Sequence, residues 1–210
     1  MKLPPVNSPC KVCQKKRARR FCPGVAGDIC PVCCGTGREN TIDCPSHCEH
    51  LQESRLHERP LALRAGELPN SDISVTDEFI EGHDSLIVLA GLELAKAMEG
   101  CKAVDRDAAE ALDALIKSYR TLASGLIYEH RPANIYAAAI QSEMKKFIEE
   151  MSKRVAEKTG LHSLRDSEIL GVLVFWQRLQ ARHNNGRPRG RMFYDFLRQI
   201  GPSVASALAS

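Results

Sequence analysis

The sequence predicts a mainly α protein, in which a small cysteine-rich module precedes an all-α helical bundle. Eight of the nine cysteines lie between Cys10 and Cys48, a density that is typical of a metal-binding module. From Thr76 onward, apolar residues recur with the period of about 3.6 that marks amphipathic helices. No alternation of strands with helices is present, so the pattern favours a bundle over an α/β sheet.

Composition supports this division. The 210 residues are 43% hydrophobic and 26% charged, which is typical of globular proteins and leaves room for one domain and a small module. Aromatic residues make up 5%, so we expect a core built mainly from aliphatic residues and methionine. The net charge of +3 is too small to indicate a nucleic-acid-binding protein by itself.

The N-terminal sequence MKLPPVNSPC has no apolar signal segment, and the longest apolar run, Ile169 to Trp176, is too short to cross a bilayer. We therefore expect no membrane association and a cytoplasmic location. Thiols stay reduced in that compartment, so clustered cysteines there indicate metal ligation rather than disulfides.

The expected organisation has five parts. A flexible tail (1–9) precedes the cysteine-rich module (10–58), whose last residues from about 46 form a short helix that ends before Pro60. A linker (59–75), the bundle (76–201) and a second tail (202–210) follow. Capping residues, glycines and prolines mark the helix ends. The expected helices run from 76 or 77 to 100, from 105 to 131, from 132 to 159, from 166 to 183 and from about 191 to 200.

The module contains two C-x-x-C pairs, Cys10–Cys13 and Cys30–Cys33. Four thiolates from two such pairs favour one tetrahedral zinc ion. The remaining cysteines, namely Cys22, Cys34, Cys44 and Cys48, suffice for a second ion. Because the two sets interleave along the chain, the module is expected to be cross-braced and to need both zinc ions for folding.

The order of ligands and the aromatic residue before Cys22 resemble a B-box-type zinc finger, a RING-like family that binds two zinc ions. The resemblance covers about 40 residues and implies the same first site. It implies a second site at Cys22, Cys44 and Cys48, with Cys34 as the substitute for a ligand that the family has at the position of Val25. His47 and His50 are alternative ligands, since the family ends on histidines. The cysteine-rich head before a helical body also resembles uncharacterised bacterial proteins.

The sequence predicts that the metal is structural and that the protein is not an enzyme. Eight thiolates close both sites, whereas a catalytic zinc ion keeps an open position. An iron–sulfur cluster fits the interleaved pairs less well than two zinc ions. No glycine-rich phosphate loop, nucleophile elbow or paired carboxylates are present.

Two function classes remain. The first is a zinc-binding protein that mediates protein–protein interaction or self-association. The alternative is a nucleic-acid-binding or regulatory protein that grips phosphates through basic residues. The second of its two basic segments resembles the Gly-Arg-Pro core of peptides that bind the minor groove. The candidate phosphate-binding residues are Lys15, Lys16, Arg17, Arg19, Arg20, Arg187, Arg189 and Arg191.

Overall fold

The computed structural model describes residues 8–58, 68–160 and 164–208. Within them the protein is mainly α, as predicted, with eight helices and one two-stranded sheet. Most of the predicted N-terminal tail and residues 59–67 of the predicted linker lie outside the described residues, as do the last two residues of the second tail. The chain divides into two compact units. We call them the cysteine-rich unit, which comprises the residues up to Pro60 and Asn185–Arg191, and the helical unit.

Where the structure describes it, the cysteine-rich unit has two short strands and two short helices. Strand β1 (Arg20–Cys22) pairs antiparallel with β2 (Gly27–Ile29). Helix α1 (Pro31–Gly37) follows β2 directly, and α2 (Glu49–Arg55) lies inside the range predicted for a short helix. The sheet was not predicted, because strands of three residues are too short to show an alternating pattern.

Few aliphatic side chains fill the interior of the cysteine-rich unit. Ile29 and Leu51 are almost completely buried, and Ile42 is nearly so. The rest of this small core is formed by cysteines. Such a core is too small to hold the unit folded by apolar burial alone.

The described residues of the helical unit form six helices. Their apolar faces form one core, in which α5 packs against α7 and α6, and α4 packs against α6 and α8. No helix among the described residues is both long and apolar enough to cross a membrane. The helices are α3 (Asp77–Gly82), α4 (Asp84–Cys101), α5 (Asp105–Ala123), α6 (Ile135–Thr159), α7 (Asp166–His183) and α8 (Met192–Leu208).

Helix α7 is the buried centre of this unit. Its predicted range is confirmed, and the apolar run that begins at Ile169 is buried on almost every side. Trp176 is 2% exposed and donates its indole N–H to the carbonyl of Ile87 at 2.9 Å. Gly91 on α4 leaves room for the indole, because a Cβ there would lie 2.2 Å from the ring.

The predicted second and third helices differ from the structure where they meet. Helix α5 ends at Ala123, since Ser124 and Gly125 turn the chain and Gly125 adopts a φ of +81°. Helix α6 begins at Ile135 rather than at Pro132, because the side chain of Asn134 caps it by accepting the N–H of Tyr136 at 2.9 Å. The residues between the two helices form a loop.

The predicted first helix is divided in the structure. Of the two predicted cap residues, Thr76 and Asp77, Thr76 caps the start, but Gly82 ends α3 and α4 begins at Asp84. The ring of His83 stacks on Phe79 at a centroid distance of 4.2 Å, and its Nδ1 lies 2.8 Å from the Phe79 carbonyl oxygen. These local contacts compete with continuation of the helical hydrogen bonds.

The last helix, α8, is longer than predicted and extends past Ile200 to Leu208. Its first turn is capped by Asp105 of α5, which is completely buried. The two carboxylate oxygens of Asp105 accept the N–H groups of Phe193 and Tyr194 at 3.0 and 3.1 Å. Two N–H groups that would otherwise lack a helical partner are thereby satisfied.

Candidate metal centre

The first C-x-x-C turn is held in place by backbone hydrogen bonds. The N–H of Cys10 donates to Lys16 at 2.8 Å, and the N–H of Gln14 donates to Cys10 at 2.8 Å. Gln14 adopts a φ of +53°, which reverses the chain immediately after Cys13. The turn thus closes locally and directs two neighbouring sulfurs to one point.

The second C-x-x-C turn is the start of helix α1. Cys30 is the N-cap residue, and its sulfur accepts the N–H of Cys33 at 3.4 Å. Pro31 occupies the first helical position, where the missing N–H costs nothing and the fixed φ suits the helix. The helix start therefore fixes the spacing between the sulfurs of Cys30 and Cys33.

The β-hairpin connects these two turns. The N–H of Lys11 donates to the carbonyl of Asp28 in β2 at 2.9 Å, and β2 runs directly into Cys30. The Lys11 ammonium group donates to the carbonyls of Val25 and Ala26 in the hairpin turn, each at 3.0 Å. These contacts bring the two turns together although Cys10 and Cys30 are 20 positions apart.

The result is a cluster of four cysteines that could hold a metal ion. The sulfurs of Cys10, Cys13, Cys30 and Cys33 all lie within 4.8 Å of one another. Cys10 and Cys30 are buried, and the other two are half-buried. Four thiolates bound at about 2.3 Å around one zinc ion have sulfurs at this kind of separation.

The electrostatics of the cluster favour a cation at its centre. Burial acts to raise the pKa of Cys10, but backbone N–H groups, including those of Cys13 and Cys30, outweigh it and lower this pKa to about 6. The pKa of Cys33 is raised to about 12, because its sulfur lies against Cys30 and because it is desolvated. Thiols packed this closely ionise together only when a cation neutralises their repulsion.

The other four cysteines lie less close together. Cys22, Cys34 and Cys44 are buried, and Cys48 is half-buried at the N-cap of α2. Burial raises the pKa of Cys22 and of Cys44, and the proximity of Cys48 acts in the same direction on both. Among the described residues, only the first set has three or more such ligands within 4.8 Å of one another.

A basic side chain, that of Arg20, contacts one cysteine of the second set (Cys22, Cys34, Cys44 and Cys48). Nη1 of Arg20 lies 3.7 Å from the sulfur of Cys34, within range of a charge-assisted contact to a thiolate. The predicted alternative ligands are placed differently. His47 is exposed, and Nδ1 of His50 lies 3.8 Å from the carboxylate of Glu53.

Glu39 is a residue of this unit that sequence reasoning missed. Its side chain is completely buried. Oε1 lies 2.6 Å from Nη2 of Arg55, and Oε2 accepts the side-chain amide of Asn185 at 2.8 Å. Arg187 lies 3.6 Å from the same carboxylate. The only sequence signal is that Glu39 is one of two acidic residues in a strongly basic stretch between residues 10 and 39.

The chain returns to the cysteine-rich unit at Asn185–Arg191. The N–H of Arg189 donates to the carbonyl of Glu39 at 2.8 Å. Arg187 forms an ion pair with Glu58 at 2.7 Å, and Arg191 forms one with Asp43. Two of the three arginines predicted to contact phosphates here are thus engaged by carboxylates, and the side chain of Arg189 is exposed.

The first basic segment is placed differently. Lys15, Lys16, Arg17 and Arg19 are exposed, and none of them forms an ion pair within the part of the chain that the structure describes. Arg20 is half-buried and faces Cys34. Four of the five predicted residues therefore point their charges into solvent.

Comparisons of the chain with protein families, with curated proteins and with solved structures found no match. The B-box resemblance therefore stands on the cysteine pattern alone.

Proposed function

We propose that the cysteine-rich unit is a structural zinc module and that the protein mediates protein–protein interaction or self-association without being an enzyme. The observation that carries this proposal is the cluster of Cys10, Cys13, Cys30 and Cys33, with all sulfurs within 4.8 Å. Four thiolates fill the tetrahedral shell that zinc prefers. A filled shell has no position for substrate or water, which supports a structural role.

Zinc would supply folding energy that the unit lacks. The core of this unit contains few aliphatic residues, and much of it is cysteine. Binding of a structural zinc ion provides on the order of 10 kcal/mol in zinc-finger peptides. The metal is therefore expected to decide whether this unit is folded, and the surface that it presents exists only in the zinc-bound state.

The proposal extends to a second zinc ion bound by Cys22, Cys34, Cys44 and Cys48. Three of these side chains are buried, and the first two and Cys48 interact electrostatically. A shift of the side chains toward a common centre is required, because these sulfurs are farther apart than those of the first set. A B-box-like, cross-braced arrangement follows from this pairing, and a reducing, cytoplasmic environment suits eight free thiolates.

The alternative function is nucleic-acid binding. One observation supports it, namely the exposure of Lys15, Lys16, Arg17 and Arg19 without ion pairs among the described residues. The second basic segment supports it less, since Arg187 and Arg191 already contact Glu58 and Asp43. Affinity for mixed-sequence DNA or RNA at low salt that falls steeply with added salt would favour this alternative.

The metal content of the purified full-length protein tests the main proposal. We expect two zinc ions per chain by native and elemental mass spectrometry. One zinc ion would restrict the proposal to the first cysteine set. Absence of zinc after expression and purification in zinc-containing medium would contradict it. Cys101→Ser is the matched control and should retain the full zinc content. Cys101 is not one of the proposed ligands, since it lies on α4 and its thiol donates to the carbonyl of Ala97.

A further inference from the structure

Among the described residues of the cysteine-rich unit, four large apolar side chains face solvent. Leu56 lies at the end of α2, and the other three lie in the two C-x-x-C turns and the hairpin. Val12 is 50% exposed, Val32 is 50% exposed and Phe21 is 57% exposed. The core of the unit does not use them, since it is formed by other side chains such as Ile29 and Leu51. Large apolar side chains that are exposed close together on a small module mark an interaction site.

Two of these side chains, Val12 and Val32, are neighbours in sequence of cysteines in the four-cysteine cluster. Val12 directly precedes Cys13, and Val32 directly precedes Cys33. Because the sulfurs of these two cysteines lie within 4.8 Å of each other, both valines belong to the turns that enclose one metal position. We call Val12, Val32 and Phe21 the knuckle surface.

Phe21 is joined to the same region by the hairpin. It pairs with Asp28 across the sheet, and the carbonyl of Asp28 accepts the N–H of Lys11, the residue before Val12. Side chains alternate between the two faces of a strand. Phe21 therefore points away from the face on which Arg20 and Ile29 approach the interior.

Four exposed cations lie beside the knuckle surface in the chain, whereas one carboxylate, that of Asp28, lies opposite Phe21 in the sheet. Lys15, Lys16, Arg17 and Arg19 are exposed, and the ion pairs of the described residues do not include them. Lys11, by contrast, is used internally by the hairpin turn. Arg19 directly precedes β1 and lies two positions before Phe21.

We propose that the knuckle surface and these four cations bind an acidic protein segment that carries apolar side chains. The inference rests on the proposed function and names its partner class. Carboxylates of the partner would face the cations, and its apolar side chains would cover the two valines and Phe21. Complementary charge gives such contacts their specificity and rate, and the apolar anchors give them affinity.

The side-chain types favour a peptide over a nucleic acid. Single-stranded nucleic acids bind through several aromatic platforms on which successive bases stack. Phe21 is the one aromatic side chain of the knuckle surface, and the two valines offer no stacking face. Aliphatic side chains flanked by cations match an acidic segment with Leu, Ile or Phe.

Fluorescence anisotropy with the zinc-bound, full-length protein tests this inference. Three labelled probes are compared. The first is a 12-residue peptide of glutamates interspersed with leucines, the second is the same peptide with each leucine replaced by serine, and the third is a mixed-sequence single-stranded DNA of 12 nucleotides. We expect the leucine-containing peptide to bind most tightly, and its affinity to fall with ionic strength.

Two types of variant separate the apolar contribution to peptide binding from the contribution of the cations. Val32→Ser and Phe21→Ser are each expected to weaken binding of the leucine-containing peptide roughly tenfold. The double variant Lys16→Glu/Arg17→Glu should weaken both peptides. Ile127→Ser is the matched control, because Ile127 is 96% exposed but lies in the helical unit; it should bind as the unmodified protein does.

The zinc content of every variant is measured in parallel. Absence of peptide binding by protein with full zinc content would overturn the docking inference and leave the zinc module standing. Absence of zinc in the unmodified protein would overturn both the docking inference and the proposed zinc module. Tighter binding of the DNA, lost in Lys16→Glu/Arg17→Glu but retained in Val32→Ser and Phe21→Ser, would also overturn the inference and assign the cations to nucleic acid.

Discussion

Arg55 places its guanidinium Nη2 2.6 Å from Oε1 of Glu39, and the Glu39 side chain is completely buried. This ion pair connects α2 to the segment that follows α1. Glu39 adopts a φ of +50°, so its backbone occupies a conformation that few residues other than glycine prefer. The buried ion pair and the unusual backbone conformation of Glu39 both lie inside the unit that is proposed to bind zinc.

Replacement of Glu39 by Gln is expected to destabilise the cysteine-rich unit by about 3–5 kcal/mol, because a neutral amide breaks the buried ion pair with Arg55 from one side. The measurement is zinc retention in competition with a chelator. Glu53→Gln is the control, since Glu53 lies on α2, the helix that carries Arg55, and its side chain is 74% exposed. Equal zinc retention in both variants would contradict a structural role for Glu39.

Asn185→Ala tests the contribution of the returning loop. Its side-chain amide donates to the buried Glu39 carboxylate at 2.8 Å, and hydrogen bonds to charged groups contribute about 1.5–3 kcal/mol. We expect zinc retention between that of the unmodified protein and that of Glu39→Gln. Unchanged retention would show that the cysteine-rich unit binds metal without this hydrogen bond.

Cys30→Ser is expected to remove at least one zinc ion and to unfold the cysteine-rich unit. The helical signal in circular dichroism should remain largely intact, because the helical unit has its own core. Limited proteolysis with identification of the cleavage sites follows the unfolding. Loss of most of the helical signal in the same variant would show instead that the two units fold as one.

Gly91→Ala is expected to destabilise the helical unit by about 1–3 kcal/mol, because the new Cβ would overlap the indole of Trp176. Gly100→Ala on the same helix is the matched control. Nothing lies within 4 Å of a Cβ at Gly100, so the gain in helix propensity of about 0.5–1 kcal/mol should stabilise the unit. Urea unfolding measured by circular dichroism distinguishes the two signs.

His183 is expected to make stability depend on pH. Burial, together with the charge of Arg182, lowers the pKa of His183 below 6.5. The unfolded chain therefore binds this proton more readily, and the free energy of unfolding falls as pH falls from about 6.5 through the folded-state pKa.

His183→Phe is the comparison for this effect, since it keeps an aromatic ring against Phe196, where the centroids are now 3.9 Å apart. Between pH 7.5 and pH 5 the unmodified protein should lose more stability in urea than the variant. Protonation of the zinc-binding cysteines affects both proteins alike and cancels in the difference. Parallel pH dependence would contradict the assignment.

Local signals in the sequence predicted the structure best. The start of α7 at Asp166 and the capping of α3 by Thr76 each depend on residues within a few positions. The two C-x-x-C turns are 20 positions apart, but each is itself a local motif that marks its two cysteines as ligands. The end of α5 was misjudged because the apolar stripe continues to Leu126, although this side chain is 64% exposed. Periodicity shows which residues share a face and does not show whether that face is covered.

Nonlocal relationships left no such signal. Glu39 and Asn185 are 146 positions apart, and neither belongs to a motif. The arginines of the second basic segment suggested phosphate contacts from their number and from the Gly-Arg-Pro resemblance, whereas Arg187 and Arg191 face carboxylates of the same unit. Charge pattern indicates that cations need partners, but only the fold shows which partners are intramolecular.

The return of Asn185–Arg191 to the cysteine-rich unit also sets a time order during synthesis. The eight cysteines leave the ribosome early, but the loop that completes their unit is more than a hundred residues behind them. At about 5–20 residues per second, roughly 7–27 seconds pass between the synthesis of Cys48 and that of Asn185. During that interval Glu39 lacks its contacts with Asn185 and Arg187. A chain that is released from the ribosome before residue 185 therefore has all eight cysteines but lacks the segment Asn185–Arg191 of their unit.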